Sequence, residues 1–241
     1  MISVVIPVFN EKENIKPLLQ EIDQASASLP ISEIIYVDDA STDATFSILK
    51  NLMNEFPGLR AIKHNNNSGQ SAALWTGIKA ASNHLIVTMD GDGQNNPADI
   101  KLLYEAYEHH RKQTSKIMVA GERIKRNDNL VRRISSRVAN NIRAAILKDQ
   151  TSDTGCSLKL FQRSDYLNLP YFDHMHRFLP ALMIRGGVKL IHVKVSHRPR
   201  LHGISKYGIW DRLFVGISDI RGVLWLQKRA RRADETYEEE N

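Results

Sequence analysis

The chain has 241 residues, 42% of them hydrophobic and 25% charged, with a formal net charge of +6. That is the make-up of an ordinary globular protein, long enough for one large domain or a domain with an appendage, and it excludes a disordered or fibrous chain. The single cysteine, Cys156, excludes an internal disulfide and suits a reducing compartment.

The start, "MISVVIPVFNEKEN", has too short an apolar run for a signal peptide and lacks a basic leader, so it reads as a first strand. From there, short β-branched runs alternate with longer amphipathic ones. Strands are predicted at Ile2–Pro7, Glu33–Val37, Leu59–Lys63, His84–Met89, Lys116–Gly121, Ser157–Phe161 and Lys189–Val195. Helices are predicted at Glu11–Ser28, Asp43–Glu55, Ser71–Ala81, Pro97–Arg111, Leu130–Leu147 and His176–Arg185. The β-α order of the first 110 residues implies an α/β fold, a mostly parallel sheet with helices on both faces. No internal repeat or low-complexity linker interrupts it.

Ligands of open parallel sheets bind beyond the carboxyl ends of the strands. Three predicted strand ends carry unusual chemistry. The first ends "IPVFNEKEN": Pro7 suits a strand terminus, and Asn10 or Glu11 starts the next helix, where orphan N–H groups favour anions. The second ends "IIYVDDASTDAT". Ser41 or Thr42 is expected to cap the following helix with Asp43 in its first turn, which leaves the pair Asp38–Asp39 unexplained. A carboxylate there suits a base or ribose hydroxyls. The fourth ends "LIVTMDGDGQNNP", where Asp90, Asp92 and Gln94 follow an apolar strand. Two carboxylates and an amide oxygen in one turn suit Mg²⁺ or Mn²⁺, and Mg²⁺ usually shares its shell with substrate phosphates. Gly91 and Gly93 let the backbone bend and approach a ligand closely. A solvated turn is the bland alternative for each of these strand ends.

These motifs, with "NSGQSAALWTGIKAA", "TSDTGCSLKLFQR" and "RPRLHGISKYG" following in order, make residues 2–210 resemble the family-2 glycosyltransferases of GT-A, Rossmann-like fold. Within these the chain is most similar to the dolichyl-phosphate mannose synthases and their bacterial polyprenyl-phosphate relatives. The resemblance implies that Pro7, Phe9, Glu11, Val37 and Asp39 hold the nucleoside, with Phe9 standing where the family often has tyrosine. It implies that Asp90, Gly91, Asp92 and Gln94 bind metal and diphosphate, with Arg123 near the phosphates. Arg132 and Ser136 match positions that hold a lipid phosphate, Arg200 and Lys206 match a loop over the donor, and Asp153 matches an acid that orients acceptor or sugar. Asp153 as a cap or ion-pair partner, and Arg200 and Lys206 as surface charges, are the plainer readings. His174 and His176 lack further ligands and read as structural or acceptor-side residues, and Cys156 reads as a packed thiol.

The function implied is inverting transfer of a hexose from a UDP- or GDP-sugar to a polyprenyl phosphate, with Mg²⁺ or Mn²⁺ as cofactor, by a protein peripheral on the cytoplasmic face of the membrane. Basic clusters at 121–143 and 227–232 fit phosphate-bearing or anionic-membrane partners. The expected division is a transferase domain at 1–208, an amphipathic helix at 209–232 for the membrane interface or a membrane-embedded partner, and an acidic disordered tail at 233–241. Alternatives are a family-2 transferase with a saccharide or other non-lipid acceptor, a catalytically inactive scaffold, and a basic nucleic-acid-binding module. No nucleic-acid motif supports the last, and no nucleic-acid partner is expected.

Overall fold

The computed structural model describes residues 1–124, 146, 147, 149, 151, 153–200 and 209–229, with side chains of the last helix described from residue 218 onward. Seven strands form one sheet: β1 (Ile2–Val8), β2 (Ile31–Asp38), β3 (Leu59–Lys63), β4 (Leu85–Thr88), β5 (Ile117–Arg123), β6 (Lys159–Gln162) and β7 (Lys189–Val195). Their order is β3-β2-β1-β4-β6-β5-β7. All pairings are parallel except those of β6, which runs antiparallel to β4 and β5.

The described helices are α1 (Lys12–Ser26), α2 (Thr45–Leu52), α3 (Gln70–Ala80), α4 (Ile100–His110), α5 (Arg163–Leu167), α6 (Leu179–Arg185) and α7 (Ile209–Lys228). Each predicted strand is present. The predicted helix at 130–147 lies almost wholly outside the described residues. Two helical readings need correction. Residues 176–178 form a 3₁₀ turn leading into α6 rather than its first α-helical turn, because Pro180 fits the first turn of a helix and not its interior. The short α5 carries too few residues for a periodic signal and was not foreseen.

Alternation along the strands builds two cores. Val4, Ile6, Ile34 and Tyr36 point to one face, against Ile15, Leu19 and Ile22 of α1, Leu49 of α2 and Leu103 of α4. Val5, Ile35, Val37 and Ile86 point to the other, against Ala73, Leu74 and Ile78 of α3 and Leu179 and Leu182 of α6. Each such fully buried aliphatic side chain contributes roughly 1.5–3 kcal/mol of transfer free energy, which fixes register, since a one-residue slip would expose a whole face.

This topology brings six chain segments to one edge. β1, β2, β4 and β5 all end there, β6 begins there because it runs antiparallel, and β7, parallel to β5, ends there too. Pro7 is tolerated in a central strand because β4 pairs only as far as Val5, so Pro7 lies beyond the last β1–β4 pair.

Candidate active site

The turn after β4 is shaped by its glycines in two different ways. A Cβ on Gly91 would lie 2.4 Å from Val8 Cγ1 and 3.3 Å from the Pro7 carbonyl, so the close approach expected at this glycine is to β1. Gly93 has φ of +74°, a left-handed conformation that favours glycine. Asp92 Oδ1 accepts the Gln94 N–H at 3.1 Å, closing the turn on itself.

Asp90 is braced on three sides. Its backbone N–H donates to Asn95 Oδ1 at 3.1 Å and Ser157 Oγ at 3.0 Å, and Ser157 Oγ donates to Asn95 Oδ1 at 2.7 Å. Thr88 Oγ1 donates to the Ser157 carbonyl at 2.7 Å, tying β4 to the chain entering β6. Gln70 Nε2, at the start of α3, donates to Asp90 Oδ1 at 2.8 Å. Burial, and then the neighbouring Asp92 carboxylate, push the Asp90 carboxyl up to about 6.

Arg123 and Asp153 form a bidentate pair, Nε to Oδ2 and Nη2 to Oδ1, both at 2.6 Å. The two side chains are only 13% and 8% exposed. Burial works against the guanidinium charge, but the bonds and field of Asp153 outweigh it and raise the Arg123 pKa. The plainer expectation for Asp153, an ion-pair partner, therefore describes its geometry. The buried Lys159 ammonium donates to the Cys156 carbonyl and lies within electrostatic reach of Asp90, Asp153 and Arg123. Burial lowers its pKa.

Arg200 Nη2 contacts Asp92 Oδ2 at 2.5 Å. The chain leading to it is stitched onto the same turn. Ser196 N–H and Oγ donate to Asp99 Oδ2 at 2.7 and 2.6 Å, and Arg198 N–H donates to the Gln94 carbonyl at 3.0 Å. Gln94 Nε2 in turn donates to the Arg198 carbonyl at 3.4 Å.

At the end of β2, Asp39 is heavily bonded within the protein. Its carboxylate accepts from Ser68 N–H at 2.9 Å and Gly69 N–H at 2.7 Å, and pairs with His64 Nδ1 at 2.8 Å. Val37 has its side chain wholly in the core under α3. Pro7, Phe9 and Glu11 are half-buried at the end of β1, and Glu11 Oε2 accepts from Asn14 Nδ2 at 2.7 Å. Ser41 and Thr42 do not cap α2: the Ser41 hydroxyl accepts the Asn10 N–H, the Thr42 N–H donates to Asn10 Oδ1, and Asp43 Oδ1 takes the Thr45 N–H. Asp43, two residues before the helix, satisfies its first free donor and leaves the other two to fasten β1 to β2.

His176 is half-buried against α3: its Nδ1 pairs with Ser71 Oγ at 2.7 Å, and burial pushes its pKa down to about 3. His174, with φ of +63°, precedes the 3₁₀ turn rather than sharing a helix with His176. Arg132, Ser136 and Lys206 lie outside the described residues. Gln70, Asn95, Ser157 and Lys159 were missed in the sequence. The signal for Gln70 was "NSGQ", a positive-φ glycine opening a helix, and for Ser157 only its place one residue after Cys156.

Among the described residues, no group of three or more His, Cys, Asp or Glu side chains could hold a metal ion. Asp90 and Asp92 instead offer an oxygen-only pair, with Gln94 in the same turn. Such a set fits a hard divalent cation that completes its shell with phosphate and water. The upward shift of Asp90 comes first from burial and then from the Asp92 carboxylate, and a bound cation would offset both.

The parallel sheet with acids on its ligand edge is of the GT-A class of glycosyltransferase folds. Solved structures of that fold overlay most of the chain. Glucosyl-3-phosphoglycerate synthase from Mycobacterium tuberculosis, in complex with Mn²⁺, UDP and glucosyl-3-phosphoglycerate, has a TM-score of 0.66 at 19% identity, over 94% of this chain and 79% of that one. Mannosyl-3-phosphoglycerate synthase from Rubrobacter xylanophilus has a TM-score of 0.66 at 14% identity, over 98% of this chain and 77% of that one.

Residues 3–169 match the profile of glycosyl transferase family 2, and the chain belongs to that family. It is 37% identical over 233 residues to dodecaprenyl-phosphate galacturonate synthase of Rhizobium johnstonii, covering 94% of this chain and 67% of the relative. It is 33% identical over 211 residues to undecaprenyl-phosphate 4-deoxy-4-formamido-L-arabinose transferase of Edwardsiella ictaluri, covering 86% of this chain and 63% of the relative. The chain thus spans about two thirds of these relatives' length.

Proposed function

We propose that the chain transfers a hexose, with inversion, from a UDP- or GDP-sugar to a polyprenyl phosphate on the cytoplasmic face of a membrane. The observation that carries the reading is the convergence of Asp90, Asp92 and Arg200 on one turn at the ligand edge. Two polyprenyl-phosphate sugar transferases among the relatives support the acceptor class.

Asp90 and Asp92, with Gln94 alongside, hold Mg²⁺ or Mn²⁺, which when bound supplies Lewis-acid stabilisation to the departing diphosphate. Gly91 keeps the two carboxylates at their spacing, and Gln70, Asn95 and Ser157 fix Asp90. Arg200, Lys206 and Arg123 supply positive charge where the diphosphate builds negative charge. Pro7, Phe9, Glu11 and Asp39 form the nucleoside end, and Val37 supports it from the core rather than lining it. Asp39 acts there as the anchor of the 64–69 segment as much as a direct ligand, since three donors already use it.

An acceptor phosphate oxygen forms the new bond to the anomeric carbon as the bond from that carbon to the diphosphate oxygen breaks, and the electron pair leaves with the nucleoside diphosphate. A phosphate monoester has a second pKa of about 6, so it is mostly dianionic at neutral pH and needs no base. Asp153, locked on Arg123, suits orientation rather than proton abstraction. Arg132 and Ser136 complete the lipid-phosphate end.

α7 supports membrane contact at the interface. No helix among the described residues is long and apolar enough to cross a membrane. Val223 is buried and Ile220, Leu224 and Leu226 pack against the core, whereas Trp225 is 59% exposed with the Arg229 guanidinium 5.8 Å over its ring. An exposed tryptophan beside cations suits a headgroup layer.

Incubation with labelled UDP- and GDP-sugars, Mn²⁺ and undecaprenyl phosphate tests the reading. Label is expected in the organic phase only when the lipid is present. Transfer only to a water-soluble acceptor such as 3-phosphoglycerate would replace the lipid acceptor with a soluble one.

A further inference from the structure

We propose that Arg200 is a place-holding counter-ion for the divalent metal, released from Asp92 to the donor diphosphate when metal and nucleotide bind together. The inference rests on the metal-dependent donor site proposed above and adds the order in which its charges assemble.

The contact is on the oxygen a cation needs. Asp92 Oδ1 accepts the Gln94 N–H, and Oδ2 is the oxygen that Arg200 occupies. The pair is well shielded, with side chains 9% exposed for Asp92 and 28% for Arg200. Asp90 and Glu11 also lie within electrostatic reach, so the guanidinium sits in the field of three carboxylates, the Asp90–Asp92 pair of the proposed metal site among them. A divalent cation and a guanidinium at one carboxylate oxygen repel each other, and one must leave. Metal alone therefore competes with a cation already in place.

The displaced arginine is on a short leash. Ser196 is held by Asp99, and Arg198 is held through its N–H by Gln94 and through its guanidinium by Asn96 and Glu21 at 2.5 and 2.7 Å. The backbone is pinned two residues before Arg200, so a change of side-chain rotamer keeps the guanidinium beside the turn. The only anion newly arriving there is the diphosphate. Metal and nucleotide then favour each other, because the nucleotide gives Arg200 a second partner.

The test is Mn²⁺ binding to the full chain, followed by the electron paramagnetic resonance signal of free Mn²⁺, with and without UDP or GDP. Wild type is expected to bind Mn²⁺ weakly alone and much more tightly with nucleotide. Arg200→Ala is expected to bind Mn²⁺ alone about tenfold more tightly than wild type, the scale of one charge-assisted contact. It is also expected to lose most of the gain from nucleotide. Arg200→Lys, which keeps the charge without the fork, should fall between the two. Equal or weaker binding of Mn²⁺ alone to Arg200→Ala overturns the proposal while leaving the donor site intact. Failure of wild type to bind Mn²⁺ with either nucleotide overturns the metal-dependent reading itself, and this inference with it.

Discussion

At the edge where β1 and β2 begin, Glu33 is buried and fully bonded. It accepts from Ser3 Oγ at 2.5 Å, from Ser82 N–H at 2.9 Å and Ser82 Oγ at 3.1 Å, and it pairs with Arg60. Burial alone would raise its pKa, but these bonds together hold it below the ordinary carboxylate value. At the opposite edge Asp90 is also enclosed, yet burial and Asp92 prevail and its carboxyl is pushed up to about 6. The two edges of one sheet thus hold an acid that the fold satisfies and an acid that the fold leaves in want of a cation. The first is a staple, joining β1, β2, β3 and the start of β4, and the second is the mark of a site.

The largest expected break of this contrast is at the ligand edge. Asp92→Ala and Asp90→Ala should each lower transfer about 10³-fold or more, the scale of removing a main electrostatic stabiliser. Circular dichroism should be unchanged, and normal turnover by either variant in the presence of chelator would sink the metal role. Glu33→Ala should do the reverse. It leaves Arg60, Ser3 and the Ser82 N–H without their acceptor and should cost about 2–3 kcal/mol in urea melts, with Mn²⁺–UDP affinity unchanged in the folded protein.

Gly91→Ala should affect both, because its Cβ meets Val8 at 2.4 Å. Overpacking there should cost about 1–3 kcal/mol and also shift both carboxylates, so activity falls together with the melting temperature. The smallest effects concern pH. The Glu33 pKa is lowered on folding from an ordinary 4.5, so its contribution is fully present above that value and is lost as pH falls below it through the lower folded pKa. Glu33→Gln should flatten the acid limb of stability. Asp90 has the opposite sign: its folded pKa is raised from an ordinary 3.8 to about 6, so without metal it costs stability as pH rises between those values. The difference in melting temperature between Asp90→Asn and wild type should therefore grow from pH 4 to pH 7 in chelator. A constant difference would contradict the account of Asp90.

Much of the architecture was legible because strand alternation and helix amphipathicity are local signals. Seven apolar β-branched runs became seven strands, and the rule about strand ends pointed to Asp39, Asp90 and Asp92 before any side chain was placed. What was not legible is pairing across the chain. Nothing in "AGER" and "SDTG" announces that Arg123 and Asp153 close on each other from 30 residues apart, or that Arg200 reaches back 108 residues to Asp92. The direction of β6 was equally hidden, since a four-residue run reads the same whichever way it lies in the sheet. Ser157 gained its place beside Asp90 from that direction alone. Caps were misread at Ser41 and Thr42 because a good capping residue is also a good cross-strand donor or acceptor, and Asn10 was there to take it.

The Arg123–Asp153 pair has a consequence for how such a protein changes over time. Arg123 is the last residue of β5 and Asp153 lies six residues before β6, so the bidentate bond ties together two points 30 residues apart in the chain. Closing such a loop costs little more entropy when the chain between its ends grows longer. Leu147, Asp149 and Thr151, between the two clamp points, are buried, and Leu147 packs in the core. Exchange of sequence between Arg123 and Asp153 should therefore be tolerated when it keeps the clamp and these three residues, and should unfold the protein when it does not.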